Sequence, residues 1–179
     1  IMPAPGGRFE QAYNAQAAVD ADSLLIVTTS ITQDTNDKRQ IEPALNRIAA
    51  LPKALGHAET LLADSGYFSQ ANVNACAGQE ITPLIPPGRA AHHLPWHERF
   101  APDAPEPPGG DALTGMLWRL KTAAGRAAYA KRKCTVEPVF GIIKHVLGFR
   151  QFSLRGIEKV TGEWRLVALA WNLKRMHRL

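Results

Sequence analysis

Asp64 stands where a carboxylate could bind a metal ion. It follows the apolar run 61–63 (LLA) and precedes the loop 65–67 (SGY), so we predict that it ends a buried strand. The strand would hold the backbone rigid while the loop opens the site. A simpler interpretation is that Asp64 only starts a turn or caps the next helix, because Asp is common in turns.

Glu137 is the second candidate, and it lies among cations. It is the only acid between Asp111 and Glu158, and its apolar neighbours 136, 139 and 140 predict a helix packed on a sheet. Lys144 follows two helical turns later and projects from roughly the same face. A carboxylate and a cation there could hold a divalent metal and a phosphate side by side. The alternative is a helix surface with scattered ion pairs of little energetic value.

Because of Pro138, the sequence allows two different starts for that helix. Either Thr135 is the N-cap and Pro138 falls in the first turn, or a longer helix is kinked at Pro138.

The charge distribution favours a polyanionic partner. The formal net charge is +5, and the sequence pI is about 9.5. From residue 111 onward only four acids occur, Asp111, Glu137, Glu158 and Glu163. The same segment contains Arg119, Lys121, Arg126, Lys131, Arg132, Lys133, Lys144, Arg150, Arg155, Lys159, Arg165, Lys174, Arg175 and Arg178. Such asymmetry suggests nucleic acid, although a solvated helix surface gives the same pattern.

Other features exclude several classes of protein. No apolar run is long enough for a membrane span. Cys76 and Cys134 lie far apart and form no CxxC pair, which argues against a disulfide scaffold or a zinc site and fits a reducing compartment.

The first half of the chain predicts strands and helices in alternation. Residues 13–20 and 24–31 read as a hairpin with a turn at 20–23, and Asn36-Asp37 is the predicted N-cap of a helix that runs to Pro52. Strands are predicted at 60–63 and 81–85, with a short helix capped by Ser69 between them. Residues 86–110 are rich in Pro and Gly and predict an irregular insertion.

From residue 111 onward the pattern predicts three helices. They begin near Met116, near Val136 and at Ile157, and the last runs to about Met176. Strands followed by helices indicate the α/β class, with a mixed sheet flanked by helices.

Several segments together resemble bacterial insertion-sequence DDE transposases. Asp64 in "LLADSGYFSQAN" is similar to the second aspartate of that group, and "YNAQAAVD" and "GFRQFSLRGIEKVTGEWRLVALAWNLKRM" are similar to its flanking segments. Tyr129, Arg132, Glu137 and Lys144 resemble its Y-R-E-K signature. Four residues separate Arg132 from Glu137 where the group has three, so Lys133 is an alternative for the Arg position.

The resemblance implies an RNase H-like domain over residues 1–179 that cleaves and joins DNA at transposon ends. Asp64 and Glu137 would be catalytic metal ligands for Mg²⁺ or Mn²⁺, with Tyr129, Arg132, Lys133 and Lys144 contacting DNA. Transposon ends and target DNA would be the partners, in the bacterial cytoplasm, with assembly as a homo-oligomer as a further option. The group's first aspartate precedes the segment that begins at Tyr13. We therefore expect a C-terminal fragment without the first strand, inactive in isolation.

Two other functions stay open at this stage. One is a catalytically inactive, basic DNA-binding remnant of a transposase. The other is a complete metal-dependent nuclease, which would need Asp20, Asp22 or Asp37 to meet the two candidate carboxylates.

Three further motifs carry less weight. His92, His93 and His97 lack a fourth ligand for a zinc site. Trp164 and Trp171 share one helix face and are predicted to pack in the core rather than to stack on bases. Ser65 has no His and Asp partners for a nucleophilic role.

Overall fold

The computed structural model describes residues 2–4, 8–10, 12–88 and 102–179, and these residues confirm the α/β class. The chain divides into two compact units. We call residues 1–37 with 132–179 the hairpin unit and residues 38–131 the central unit.

Six short strands form three pairs in the described residues. Strands β1 (Met2–Ala4) and β2 (Arg8–Glu10) are antiparallel, as are β3 (Asn14–Val19) and β4 (Ile26–Thr32). Strands β5 (Thr60–Leu62) and β6 (Thr82–Leu84) are parallel. The predicted hairpin is therefore confirmed, whereas a single larger mixed sheet stays a prediction.

Six α-helices are described: α1 (Ile41–Ala49), α2 (Gln70–Gly78), α3 (Ala112–Arg119), α4 (Ala123–Ala130), α5 (Val136–His145) and α6 (Ile157–Met176). Short 3₁₀ turns occupy Lys53–Leu55, Ser65–Tyr67 and Lys131–Cys134. None of the described helices is long and apolar enough to cross a membrane. The predicted order of strands and helices is confirmed, but β1, β2 and α4 were not predicted. Residues 102–110 are irregular, as expected of the insertion, while 89–101 lie outside the described residues.

The predicted cap at Asn36-Asp37 is wrong. Helix α1 begins at Ile41 with Gln40 in the cap position, and no side chain caps it. The carboxylate of Asp37 instead accepts hydrogen bonds from the amides of Asn14 and Gln16, both at 2.7 Å. Local spacing assigned the Asp37 side chain to the helix cap, but it binds two residues that lie more than 20 positions earlier in the chain.

The hairpin unit has an aromatic core between its hairpin and helices α5 and α6. Its buried members are Ile26, Val139, Ile143, Trp164, Ala168 and Trp171. Helix α6 buries Val160, Trp164, Ala168 and Trp171 at helical spacing, while Leu166, Leu169 and Leu173 on its other side are exposed. The prediction that both tryptophans belong to the core is confirmed.

Polar side chains of α6 fasten it to the backbone of the hairpin. The indole N–H of Trp164 donates to the carbonyl of Gln16 (2.9 Å), and that of Trp171 donates to Leu24 (2.8 Å). The amide of Asn172 accepts from the N–H of Ile26 (2.8 Å) and donates to its carbonyl (2.9 Å). Half-buried backbone groups of the hairpin are thereby satisfied by one helix.

The central unit has an aliphatic core around the β5–α2–β6 segment. Its buried members are Ile41, Leu45, Ala63, Val73, Cys76, Ile81, Ile85 and Met116. Ser69 caps α2 by accepting from the N–H of Asn72 at 3.1 Å, as predicted. Burial raises the pKa of the Cys76 thiol to about 11, so this cysteine is a packing residue and not a reactive one.

Candidate functional site

Asp64 follows strand β5 in the central unit and is exposed. The strand is fixed by its pairing with β6, and beyond it the N–H of buried Ala63 donates to the carbonyl of Leu84 at 3.3 Å. The backbone of Asp64 is still extended, and the 3₁₀ turn Ser65–Tyr67 that follows takes the chain out of the strand. The sequence-based placement of Asp64 at the end of a strand is confirmed, but the strand is not buried: Thr60 is exposed, Leu61 and Leu62 are half-buried, and only Ala63 beyond it is buried.

One oxygen of Asp64 has a structural partner. Its Oδ1 accepts from the N–H of Gly66 at 2.8 Å and so caps the 3₁₀ turn Ser65–Tyr67. The other oxygen, Oδ2, has no hydrogen-bond partner within the described part of the chain. The capping interpretation is therefore confirmed, and the same geometry holds the carboxylate in one orientation.

Glu137 lies in the first turn of helix α5, where the helix dipole favours a negative charge. The helix begins at Val136, with Thr135 in the cap position and Pro138 inside the first turn. This decides between the two predictions for Pro138: the helix starts before it and is not kinked by it, since a proline is tolerated in the first turn. Val139 and Ile143 on the same helix are buried and anchor it in the core.

Arg132 forms an ion pair with Glu137. Its Nη2 lies 3.3 Å from Oε1 of Glu137, and the two side chains are 21% and 61% exposed. Because the glutamate is largely solvated, screening limits such a pair to about 0–1 kcal/mol of stability. The pair bears on the open question of the Arg position: Arg132 contacts Glu137, while Lys133 is exposed and forms no ion pair in the described ranges.

The remaining DNA-contact candidates are placed as follows. Lys144 is exposed in the last turn of α5, and its seven-residue separation from Glu137 gives both side chains nearly the same direction. Its carbonyl accepts from Nε of Arg150 at 3.4 Å, a long hydrogen bond. Tyr129 is half-buried in the last turn of α4.

The candidate residues divide between the two units. Asp64 and Tyr129 belong to the central unit, and Arg132, Lys133, Glu137 and Lys144 belong to the hairpin unit. Within the described residues of either unit, no group of three or more His, Cys, Asp or Glu side chains could hold a metal ion.

Asp20 and Asp37, two of the acids considered as a third ligand, have structural roles in the hairpin unit. Asp20 accepts from the N–H of Ser23 (2.8 Å) and from its hydroxyl (2.5 Å) within the hairpin turn. The hydrogen bonds with Ser23 hold the pKa of Asp20 below its usual value. Asp37 is held by Asn14 and Gln16. Both carboxylates therefore form hydrogen bonds with residues of the hairpin.

The histidine cluster (His92, His93 and His97) lies outside the described residues. Ser65 belongs to the turn that Asp64 caps.

Sequence reasoning missed two polar residues of α6. Asn172 forms hydrogen bonds with the backbone of Ile26 in β4. The carboxylate of Glu163 accepts from the N–H groups of Ser153 (2.8 Å) and Leu154 (3.0 Å) ahead of the helix. The only available signal was a polar residue beside the buried Trp171, which a single sequence does not distinguish from a solvated position.

Comparison with known proteins gives one match. The model of the family described as transposase DDE domain matches residues 3–173, nearly the whole chain. No significant match to a curated protein or to a solved structure was found.

Proposed function

The chain belongs to the transposase DDE domain family, and from this premise we propose that it takes part in DNA transposition by metal-dependent cleavage and joining of phosphodiester bonds. The observation that carries the proposal is the arrangement around Glu137. An exposed carboxylate begins helix α5, Arg132 holds one of its oxygens, and Lys144 projects from the same side. A Y-R-E-K signature and an RNase H-like domain are part of the proposal. They are supported by the spacing of these residues and by a hairpin followed by a helix and a parallel strand pair.

The donor atoms of the two carboxylates suit a hard divalent cation. DDE transposases generally use divalent metal ions, and Asp64 and Glu137 offer only oxygen, the ligand that Mg²⁺ prefers. Each keeps one oxygen without a hydrogen-bond partner among the described residues. A bound pair of such ions would activate the attacking oxygen and stabilise the leaving one.

The surrounding side chains then have distinct tasks. Asp64 presents its oxygen from a backbone fixed by strand pairing, and Glu137 presents its oxygen from a helix anchored in the core. Lys133 and Lys144 are exposed cations suited to bind DNA phosphate, and Tyr129 would position DNA or water. Transposon ends and target DNA are the proposed partners, and assembly as a homo-oligomer is compatible with this role.

The resemblance implies a third carboxylate ligand beside Asp64 and Glu137, and we do not assign it to Asp20 or Asp37, because both are engaged in the hairpin. With two assigned ligands, the 179-residue chain by itself is expected to bind metal weakly and to give little or no strand transfer.

The first experiment is calorimetric titration of the chain with Mn²⁺, repeated on Asp64→Asn and Glu137→Gln. Binding that both variants weaken at least tenfold would support the proposal. Glu59→Gln is the matched control, because it removes one exposed acid of the same unit as Asp64 and should leave binding unchanged.

Equal binding in all four proteins would overturn the assignment of the ligands. Salt-dependent DNA binding without any effect of metal would instead support the second candidate, a catalytically inactive DNA-binding remnant. The strongly basic segment after residue 111 favours that candidate.

A further inference from the structure

The backbone of Arg132 is fixed directly ahead of helix α5. Arg132 lies in the 3₁₀ turn Lys131–Cys134, and its carbonyl accepts from the N–H (3.3 Å) and the hydroxyl (3.0 Å) of buried Thr135. Its side chain is only 21% exposed, whereas its neighbours Lys131 and Lys133 are both exposed. The three consecutive cations are therefore not equivalent.

Electrostatics makes the position of Arg132 unfavourable unless an acid compensates. The N-terminus of a helix carries a partial positive charge, so a guanidinium beside it is repelled. Partial burial adds a desolvation cost. Glu137 provides the compensation through its Oε1, at 3.3 Å. In return, the ion pair favours one orientation of the flexible Glu137 side chain over the others.

From this geometry we infer that Arg132 is a positioning residue for the Glu137 carboxylate and not a phosphate contact. Its guanidinium holds Oε1, and Oε2 keeps no hydrogen-bond partner among the described residues, while contact with DNA phosphate falls to Lys133 and Lys144. The inference rests on the proposed function, since it refines the roles within that site. Its electrical consequence is measurable: a cation neutralised by Glu137 releases no counterion when DNA binds.

The test is the salt dependence of binding to a fluorescently labelled DNA duplex, measured by anisotropy on the full chain. The logarithm of the DNA-binding constant falls as log[salt] rises, and Lys133→Gln and Lys144→Gln should each make this slope shallower by about 0.9. Arg132→Gln should leave the slope unchanged, although it removes the same charge. A reduction by Arg132→Gln as large as that by Lys133→Gln would overturn the inference.

A double-mutant cycle sharpens the result. Glu137→Gln removes the anionic charge that lies 3.3 Å from the guanidinium, so the magnitude of the slope should increase by about 0.9, and this increase should vanish in the Arg132→Gln background. Glu158→Gln is the matched control, because Glu158 also lies in the first turn of a helix, α6, and is exposed. An increase of the same size in the control would show a general charge effect and would count against the inference.

A second readout does not depend on DNA. In ¹⁵N NMR spectra, the Nη–H groups of Arg132 should give resolved signals from hindered rotation of the guanidinium, because Nη2 contacts Glu137. These signals should be lost in Glu137→Gln and kept in Glu158→Gln. A wild-type chain that fails to bind any duplex would count against the proposed function alone. A freely rotating Arg132 in the wild-type chain would overturn the inference whatever the DNA result.

Discussion

The two units of the chain hold their candidate carboxylates by different means. In the hairpin unit, side chains of α6 attach the helix to strand backbone, and Glu137 is oriented by another side chain, that of Arg132. In the central unit, backbone pairing fixes β5 against β6, and Asp64 is oriented by the backbone N–H of Gly66. The orientation of Glu137 therefore depends on the identity of a neighbouring side chain, whereas that of Asp64 depends mainly on local backbone geometry.

The largest effect is expected for a substitution that breaks the attachment of helix α6 to the hairpin. Trp164→Ala removes a side chain that is 2% exposed, together with its hydrogen bond to Gln16. We expect the free energy of unfolding to fall by about 3–5 kcal/mol, measured by urea denaturation followed by circular dichroism.

Leu166→Ala on the same helix is the control. Its side chain is 67% exposed, so the expected change is within about 0.5 kcal/mol. Equal losses in the two variants would mean that the buried face of α6 has been assigned wrongly.

A change in stability of medium size is expected when one helical glycine of each unit is replaced by alanine. A Cβ added at Gly125 in α4 would lie 1.8 Å from the carbonyl oxygen of Arg119, so Gly125→Ala must displace backbone. We expect destabilisation of about 1–3 kcal/mol, seen as a lower Tm by calorimetry.

The matched substitution in the hairpin unit is Gly141→Ala in α5, where the added Cβ meets nothing within 4 Å. Alanine is the better helix former, so we expect stabilisation of up to about 1 kcal/mol. A higher Tm for Gly125→Ala than for wild type would contradict the close packing of α4.

The smallest effect concerns acid sensitivity of the hairpin unit. Backbone hydrogen bonds from Ser153 and Leu154 hold the pKa of Glu163 below its ordinary value of 4.5. A carboxylate with a lowered folded-state pKa stabilises the fold above about pH 4.5, and this contribution is lost as the pH falls through the folded pKa.

Glu163→Gln should therefore lower stability near neutral pH and make the acid side of the stability profile shallower, as measured by urea denaturation between pH 7 and about pH 3. Glu158→Gln, without this pair of backbone partners, should leave the profile unchanged. Parallel profiles for wild type and Glu163→Gln would rule out the proposed contribution of Glu163.

Short-range features of this protein were predictable from its sequence. The hairpin, the capping of α2 by Ser69 and the strand end at Asp64 depend on residues close together in the chain. Their signals are therefore present in any short window of the sequence. The family was predictable for a related reason, since several segments with fixed spacing resemble one group at once.

Features decided by distant segments were not predictable. Helix α6 offers apolar residues on two sides. The shared helix face of Trp164 and Trp171 predicted their burial, but only packing against the hairpin determines that Leu166 and Leu173 are exposed. Asp37 was assigned to a helix cap by local spacing, but Asn14 and Gln16 reach it from the first strand of the hairpin.

The sequence alone determined which residue types are available near Glu137, and only the tertiary structure decided which cation contacts it. Arg132 and Lys133 both fit the spacing, and both are cations. The buried Thr135 and the 3₁₀ turn direct Arg132 onto the glutamate and leave Lys133 in solvent. The physical reason is that a side chain's partner depends on the direction in which the folded backbone points it, and the packing of the entire unit sets that direction.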